Sequence, residues 1–421
     1  MRAEIIAVGS ELLTPDRIDT NSLFLTAELN KIGIQVVHKS VVGDSAGDLH
    51  QAFSQALDRA DIVISSGGLG PTEDDLTRES VSELLGRRLE SNLEVLHAIQ
   101  DRFARMGRQM AEVNKRQAMV PEGATPLENL RGTAPGLWIE ARDRVLILLP
   151  GPPDELQAMF ARQVAERLMR RSGGVRLFTR ELRTTGMAES DLDERIKPIY
   201  LPLENIATTI LAGGGEIQVH LRMWSEDAQQ ANHTLDGVAQ QIAAALGDHV
   251  FSSNGQTLEE VVAGALVKNN ETISTAESCT GGLLAERLTR IPGSSNYFLG
   301  GVVSYSNELK TAWASVPDEI IQSRGAVSSE VAVALAVGIR RSTGSSLGIG
   351  ITGIAGPAGG TPEKPVGLVH IALADGSEAK ERALKFTGDR NRIRWSASQS
   401  ALDMVRRYFL NCGGTQKSTR N

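Results

Sequence analysis

The sequence predicts an α/β protein with an N-terminal three-layer domain around a parallel sheet, a small α+β middle module and a C-terminal α/β domain. Its 421 residues suffice for roughly three domains of about 150 residues each. Short β-branched runs alternate with helical patterns in the first and last thirds, which is typical of parallel sheets covered by helices. Serine and glycine at 172–174 mark a linker, after which the pattern changes. We expect domains over residues 1–171, 175–250 and 255–412.

Composition and charge narrow the class of protein. Hydrophobic residues make up 41% of the chain and charged residues 23%, an ordinary globular composition. The net charge of −7 and the 4% of aromatic residues argue against direct nucleic-acid binding. Cys279 and Cys412 are the only cysteines, so we expect neither a disulfide framework nor a thiolate zinc cluster. Because no signal-peptide pattern and no apolar run of roughly 20 residues occurs, we expect a cytoplasmic protein without membrane contact.

In the N-terminal part, the apolar runs that predict buried strands are residues 3–8, 34–42, 61–65 and 144–149. Helical patterns lie between them, at 47–59 for example, and another follows at 154–170. Ligands of such sheets bind at the carboxyl ends of the strands, so the segments after the strands are the first candidates for a site. Glu11 and Asn21 follow the first strand and would share that edge. The alternative is a plain polar loop and a first helical turn.

A glycine-rich loop with paired acidic residues follows the third strand. Gly67, Gly68 and Gly70 let the backbone approach a ligand closely and turn its N–H groups toward phosphate oxygens. Asp74 and Asp75 offer hard oxygen ligands for a divalent metal. The alternative is a tight turn whose aspartates complement the start of the next helix. Glycines and acids together, between a strand and a helix, favour phosphate and metal binding.

The middle module contains a clean strand pattern at residues 216–224. Its alternating apolar members are Ile217, Val219, Leu221 and Met223. This alternation predicts a half-buried strand. Helical patterns lie at 188–200 before it and at 226–246 after it. No catalytic constellation is evident, so a spacer or assembly role is expected.

In the C-terminal part, ISTAESCTGG (residues 273–282) reads as a strand, a tight turn and a helix start. Ser278 lies on the turn, where the unpaired N–H groups of a helix start favour an anion or oxyanion. The alternative is that Ser278 and Thr280 only cap the helix. Two further strand ends carry polar residues, namely Tyr305 with Lys310, and Thr352.

A serine is a poor nucleophile without a base, and no histidine lies near these loops. A lysine can serve when burial lowers its pKa, so Ser278 with Lys310 is the chemically sensible pair, and Tyr305 would relay or orient the proton. The alternative is that Lys310 is an ordinary surface lysine at a helix start. Cys279, next to Ser278, is a rival nucleophile.

The motifs TAESCTGG, VSYSNELK, GAVS, GITGIAGPAGG, EKPVG and GDR occur in an order that resembles the C-terminal domain of the CinA (competence/damage-inducible) family. SGGLGPTEDDLT and GTAPG resemble the family's N-terminal domain, which is related to molybdopterin-binding proteins. The resemblance covers essentially the whole chain. It implies that the C-terminal domain deamidates nicotinamide mononucleotide to nicotinate mononucleotide plus ammonia. It also implies that the N-terminal domain is a metal-dependent ADP-ribose pyrophosphatase that yields AMP and ribose 5-phosphate.

Carried over to this chain, the resemblance makes Ser278 the nucleophile, Lys310 the base and Tyr305 the assisting tyrosine of the C-terminal domain. We expect the N–H groups of Thr280 and Gly281 to stabilise the oxyanion of an acyl-enzyme reaction. No cofactor is expected for this domain.

Substrate phosphates require cationic or N–H partners. For the 5′-phosphate in the C-terminal domain the candidates are Arg390, Thr352 and Gly353. For the pyrophosphate in the N-terminal domain they are Gly67, Gly68 and Gly70. The implied divalent metal there, Mg²⁺, Mn²⁺ or Co²⁺, would be held by Asp74 and Asp75.

The favoured interpretation is a bifunctional pyridine-nucleotide recycling hydrolase that acts on small nucleotides. In the alternative, the N-terminal domain is a non-catalytic pterin- or nucleotide-binding module, and metal-dependent turnover would separate the two. The family name suggests a third class, a DNA-uptake or repair factor, but the acidic charge and sparse aromatic residues argue against direct DNA binding. The middle module favours a homodimer.

Overall fold

A computed structural model describes residues 1–141 and 143–415, with side chains up to residue 411. The chain separates into two compact units, one of Met1–Phe178 with Trp224–Asn232 and one of Thr179–Met223 with the residues from His233 onward. Within the described ranges, no helix combines the length and apolar character needed to cross a membrane. The side chain of Cys412 lies outside the described residues.

The N-terminal strands are β1 (Arg2–Val8), β2 (Gln35–Val42), β3 (Ile62–Ser66), β4 (Leu89–Ser91), β5 (Met119–Pro121), β6 (Thr125–Leu127), β7 (Gly136–Ala141) and β8 (Arg144–Leu149). Six of them form a sheet in the order β2-β1-β3-β8-β7-β6, and β4 pairs separately with β5. The strands β2, β1, β3 and β8 are parallel, which confirms the predicted parallel sheet. An antiparallel edge of β7 and β6, which the sequence pattern did not predict, extends it.

Helices cover both faces of this sheet, and their bounds are α1 (Thr20–Lys31), α2 (Ala46–Arg59), α3 (Thr77–Leu84), α4 (Leu93–Arg105), α5 (Pro153–Met159) and α6 (Ala165–Arg171). A π-helical segment, Phe160–Val164, joins α5 to α6. Neighbouring residues of β3 point to opposite faces, since Ile62 and Ile64 join one apolar cluster and Val63 joins another. The sheet is therefore buried on both sides, as the predicted three-layer domain requires.

The middle module consists of β9 (Arg176–Thr185), α7 (Glu189–Tyr200), β10 (Ala207–Gly213), β11 (Glu216–Ser225), α8 (Ala228–Leu246) and β12 (Val250–Ser252). Its strands form one sheet in the order β10-β11-β9-β12. The apolar residues at 217, 219, 221 and 223 are at most 7% exposed, so the predicted half-buried strand is confirmed. The sequence pattern did not predict β10, which pairs with β11 as an antiparallel hairpin.

The C-terminal strands are β13 (Ile273–Glu277), β14 (Phe298–Val303), β15 (Leu347–Gly353), β16 (Leu368–Ala374) and β17 (Ala379–Lys385). They form a sheet in the order β14-β13-β15-β16-β17. The strands β14, β13 and β15 are parallel to one another, whereas β16 pairs antiparallel with both β15 and β17. The helices are α9 (Leu258–Lys268), α10 (Leu283–Thr289), α11 (Asn307–Ala314), α12 (Asp318–Arg324), α13 (Ser329–Thr343) and α14 (Arg390–Thr415). Apolar clusters on both faces of this sheet make it a second α/β layered domain.

Candidate functional site

In the first unit, the segments that follow β1, β3 and β8 line one cavity of about 360 Å³. All five residues predicted for this site line it, namely Gly67, Gly68, Gly70, Asp74 and Asp75. The cavity lies at the carboxyl ends of the parallel strands, where an open α/β sheet binds its ligands. These residues therefore lie together at the sheet edge that the sequence predicted.

The glycines of this loop are required by close packing as well as by φ. Gly67 and Gly68 have φ angles of 107° and 68°, in the region that only glycine adopts readily. A Cβ atom on Gly67 would lie 2.2 Å from the carbonyl oxygen of Val8, and one on Gly68 would lie 2.0 Å from Thr77 Oγ1. Larger residues at these two positions would displace the loop from the end of β3.

Carboxylates dominate the chemistry of the cavity. Glu11, Asp44 and Glu155 join Asp74 and Asp75 in its lining. The described lining residues include no lysine or arginine. The sequence analysis named Glu11 at this edge but neither Asp44 nor Glu155, although both come shortly after predicted strands, at 34–42 and 144–149. Phosphate oxygens could enter such an acidic cavity only together with a cation.

The donor set is suited to a metal that takes few protein ligands. One oxygen of Asp75 is already engaged, because Asp75 Oδ2 accepts hydrogen bonds from the Thr72 N–H, at 2.9 Å, and from the Thr72 hydroxyl. Within the described residues, no three histidine, cysteine or acidic side chains are grouped closely enough to hold a metal by themselves. Mg²⁺ commonly binds one or two carboxylates and completes its shell with water and substrate phosphates.

Asn21 connects the strand ends behind this cavity. Its side-chain amide donates hydrogen bonds of 2.7 Å to Ser66 Oγ and to the carbonyl of Gly151. These contacts tie the first turn of α1 to the ends of β3 and β8. Asn21 thus shares the predicted sheet edge and supports its geometry.

In the second unit, Ser278 directly follows β13 and its N–H donates to the carbonyl of Ile351 on β15, at 3.0 Å. Lys310 lies on α11, after the neighbouring strand β14, and is only 2% exposed. Its amine donates to the carbonyls of Tyr305, at 3.1 Å, and Ser306, at 3.5 Å. Within the described residues, no hydrogen bond joins this amine to the Ser278 hydroxyl.

Burial shifts Lys310 toward its neutral form relative to an exposed lysine. Desolvation lowers the pKa of Lys310 and outweighs the opposing electrostatic interactions with the Cys279 thiol and Glu308. Lys310 is therefore not the ordinary surface lysine of the alternative interpretation. A neutral amine has two N–H groups and one lone pair, so two carbonyl acceptors leave the lone pair free to take a proton.

Cys279 is a poor nucleophile in this environment. Its side chain is buried, and desolvation raises the pKa of the thiol to about 12. The thiol is consequently protonated at neutral pH, and the thiolate is the reactive form. The structure therefore argues against the rival nucleophile next to Ser278.

Tyr305 and Arg390 meet at the edge of this site. The Arg390 guanidinium donates to the Tyr305 hydroxyl at 2.9 Å and to the carbonyl of Gly356 at 2.8 Å. Tyr305 is 58% exposed, so its ring is accessible to a ligand. Arg390 thus links the segment after β14 with the loop after β15.

The start of α10 is arranged differently from both alternatives in the sequence analysis. The carboxylate of Glu277, which is 1% exposed, accepts hydrogen bonds from the N–H groups of Gly282, Leu284 and Ala285 at 2.8 to 3.1 Å. Glu277 therefore fills the helix start, which is neither an open anion site nor capped by Ser278 or Thr280. An acidic residue just before a helix is the sequence signal for this arrangement.

Some of the groups that were predicted to bind the oxyanion and the phosphate already form hydrogen bonds within the protein. The N–H of Gly281 donates to the carbonyl of Ser278 at 3.1 Å, so it must leave this turn before it can bind an oxyanion. The Thr352 hydroxyl donates to the carbonyl of Ala326 at 2.7 Å, and Gly353 is paired with Val369 between β15 and β16. By contrast, the hydroxyl of Thr280 is buried without a hydrogen-bond partner among the described residues.

The fold defines a multidomain α/β protein with an acidic, glycine-lined cavity at the strand ends of one unit and a buried lysine, Lys310, after a strand of the other. Comparison with known proteins gives the family. Residues 255–409 match the CinA C-terminal domain, residues 4–170 match the family described as "Probable molybdopterin binding domain", and residues 179–252 match the damage-inducible protein CinA KH domain.

Relatives match along the whole chain. A CinA-like protein of Koribacter versatilis is 51% identical over 416 residues, which are 97% of this chain and 100% of that protein. A CinA-like protein of Solibacter usitatus is 51% identical over 407 residues, which are 97% of this chain and 98% of that protein. The solved structure of CinA from Thermoplasma acidophilum, with unknown function, is 34% identical and covers 40% of this chain and 99% of its own, with a TM-score of 0.38. The chain belongs to the CinA family.

The KH match concerns the middle module. KH domains clamp nucleic-acid backbones with a G-x-x-G loop. Residues 179–252 contain glycines at 186, 213–215, 237 and 247, and none of these form a G-x-x-G sequence. The loop by which KH domains hold nucleic acid is therefore missing from this segment.

Proposed function

We propose that the C-terminal domain hydrolyses the carboxamide of nicotinamide mononucleotide through a Ser278–Lys310 pair. The observation that carries this proposal is the buried Lys310 amine, whose pKa is lowered and whose two carbonyl partners leave a lone pair free. Such a lysine acts as a general base without histidine. Nicotinamide mononucleotide is the substrate that the family resemblance implies.

In the proposed reaction, neutral Lys310 takes the proton of the Ser278 hydroxyl and the serine oxygen attacks the amide carbon. The N–H groups of Thr280 and Gly281 stabilise the oxyanion once Gly281 has left the carbonyl of Ser278. Protonated Lys310 returns the proton to the leaving nitrogen, so ammonia departs and an ester to Ser278 remains. Water then hydrolyses this ester and releases the carboxylate product.

The test is ammonia release from nicotinamide mononucleotide by the wild type and by Ser278→Ala. We expect release by the wild type and a loss of at least about a hundredfold in Ser278→Ala, because only the positioned hydroxyl forms the ester. Cys279→Ala is the matched control, since it changes the adjacent buried side chain and leaves the nucleophile in place. A Ser278→Ala protein with wild-type turnover would sink the proposal.

For the N-terminal domain, we propose hydrolysis of ADP-ribose to AMP and ribose 5-phosphate with a divalent metal. The glycine loop offers N–H groups to the diphosphate, and the acidic lining requires a cation between carboxylates and phosphates. Asp74, with Asp75 Oδ1, would hold Mg²⁺, Mn²⁺ or Co²⁺, which when bound neutralises phosphate charge and polarises the phosphorus. Water would then break the P–O–P bond.

A second candidate function for this cavity is binding of a pterin or nucleotide without chemistry. The family description of residues 4–170 favours it, and so does the lack of a three-carboxylate metal group in the described residues. AMP release from ADP-ribose in the presence of Mg²⁺, Mn²⁺ or Co²⁺ separates the two candidates. Asp74→Asn should abolish that release, whereas Asp58→Asn, outside the cavity, should not; metal-independent binding without turnover would favour the second candidate.

Both reactions convert products of pyridine-nucleotide breakdown into nucleotides that can be reused, which unites the two domains in one role. A homodimer, a cytoplasmic location and a C-terminal domain that needs no cofactor stay predictions. Sedimentation equilibrium would test the dimer. Ammonia release after exhaustive chelation would test whether the C-terminal domain works without a cofactor.

A further inference from the structure

In the glycine loop of the first unit, residues 67–70, all four backbone carbonyls accept hydrogen bonds from two consecutive residues, Thr77 and Arg78. The hydroxyl of Thr77 donates to the carbonyl of Gly67 at 3.1 Å, and the N–H of Thr77 donates to the carbonyl of Gly68 at 3.2 Å. The guanidinium of Arg78 donates to the carbonyls of Leu69, at 2.6 Å, and Gly70, at 3.1 Å.

This arrangement decides where the N–H groups of the loop point. Across a planar trans peptide, the carbonyl of one residue and the N–H of the next face opposite directions. The N–H groups of Gly68, Leu69 and Gly70 therefore point away from Thr77 and Arg78. All three residues line the cavity, and within the described chain none of the three N–H groups donates to a protein acceptor. Successive free N–H groups on a concave surface form an anion-binding nest.

Arg78 is an unusual residue to find beneath such a loop. Its side chain is fully buried, its Nε–H has no hydrogen-bond partner, and no carboxylate among the described residues lies within ion-pair distance. A buried charge without a carboxylate partner is costly to the fold. Its guanidinium faces the loop carbonyls, so its positive charge lies directly behind the nest.

We propose that Thr77 and Arg78 are positioning residues that hold the loop as a nest for the diphosphate of a nucleoside diphosphate derivative. They act through the peptide groups and do not touch the ligand. The inference rests on the proposed function of this cavity and adds the residues that give the loop its anion-binding form. Because the opposite wall is acidic, the diphosphate binds together with a divalent cation.

The experiment measures binding of inorganic pyrophosphate with Mg²⁺ to the full chain by isothermal titration calorimetry. Arg78→Met removes both carbonyl contacts and the charge, and we expect affinity to fall about tenfold or more. Arg78→Lys keeps the charge and should recover part of the affinity. Arg87→Met is the matched control, because Arg87 also donates to two carbonyls, but these belong to Glu122 and Glu140 and not to the glycine loop.

Thr77→Val provides a second variant of nearly unchanged volume, which decides the question if Arg78→Met does not fold. Hydrogen exchange supplies a readout that a purely structural role would not move. Pyrophosphate should slow exchange of the amides of residues 68–70 in the wild type and fail to do so in Thr77→Val at the same concentration. Wild-type affinity in both Arg78→Met and Thr77→Val overturns the inference, and so does a wild type that binds no pyrophosphate.

Failure of the proposed function gives a different result. A wild type that binds pyrophosphate but releases no AMP from ADP-ribose overturns the hydrolase. The variants then still decide whether Thr77 and Arg78 shape the nest.

Discussion

Glu277→Gln should destabilise the C-terminal unit, because this buried carboxylate accepts three N–H groups at the start of α10. Two of them, from Gly282 and Leu284, reach Oε2, and that of Ala285 reaches Oε1. A glutamine has one carbonyl oxygen, so at best it keeps the first two bonds and turns its NH₂ group toward the third donor. The loss of one charge-assisted bond and the desolvated N–H left behind cost about 2–4 kcal/mol.

The assay is urea unfolding of the full chain, monitored by hydrogen exchange in peptides that cover residues 273–290. This readout isolates the free energy of opening around α10 from the unfolding of the other unit. Glu286→Gln is the matched control on the same helix, since Glu286 is half exposed and pairs with Arg290 in a surface ion pair. That control should change the free energy of unfolding by less than about 1 kcal/mol.

A Glu277→Gln protein within about 0.5 kcal/mol of the wild type would refute this reasoning, since it would mean that water or a shifted backbone satisfies the N–H groups. The same variant should lower ammonia release, because the loop that carries Ser278 is held between β13 and this helix start.

Three further predictions concern the second unit. Ammonia release should rise with pH and reach half of its plateau below pH 10.5, the ordinary pKa of lysine, because burial lowers the pKa of Lys310 and only the neutral amine acts; a rate that reaches half of its plateau only at pH 10.5 would contradict this. Cys279→Ala should keep wild-type turnover, and iodoacetamide should leave Cys279 unmodified in the folded protein, because its thiol is buried with a pKa of about 12; rapid alkylation would show an accessible thiolate. Arg287→Met should lower the free energy of unfolding by about 3–5 kcal/mol, because it strands the buried Glu259 carboxylate, 2.7 Å from Arg287 Nε; the double variant with Glu259→Met should recover part of that loss.

The N-terminal cavity illustrates what local pattern could predict. Gly67, Gly68 and Gly70 follow a β-branched run, and such a run ends at the ligand-binding edge of a parallel sheet. Asp74 and Asp75 come within a few residues of that loop, so spacing alone brought them to the same edge. Glu155 reaches this cavity from a segment far along the chain, and only the pairing of β3 with β8 brings it there.

The predicted serine–lysine pair shows the same division. Ser278 and Lys310 each follow a strand of the predicted sheet, and the family resemblance gave them their roles. The lowered pKa of Lys310 depends on burial, which a sequence does not record for a single polar residue.

Local patterns of apolar residues and glycines were enough to predict the α/β class, the strand and helix periodicities and the loops that meet at the strand ends. They could not predict which polar groups are already hydrogen-bonded within the protein. Glu277 fills the start of α10, Gly281 is held in a turn, and Arg78 lies behind the glycine loop. Hydrogen-bond partners and burial follow from contacts between distant segments, and strand order and helix packing create those contacts.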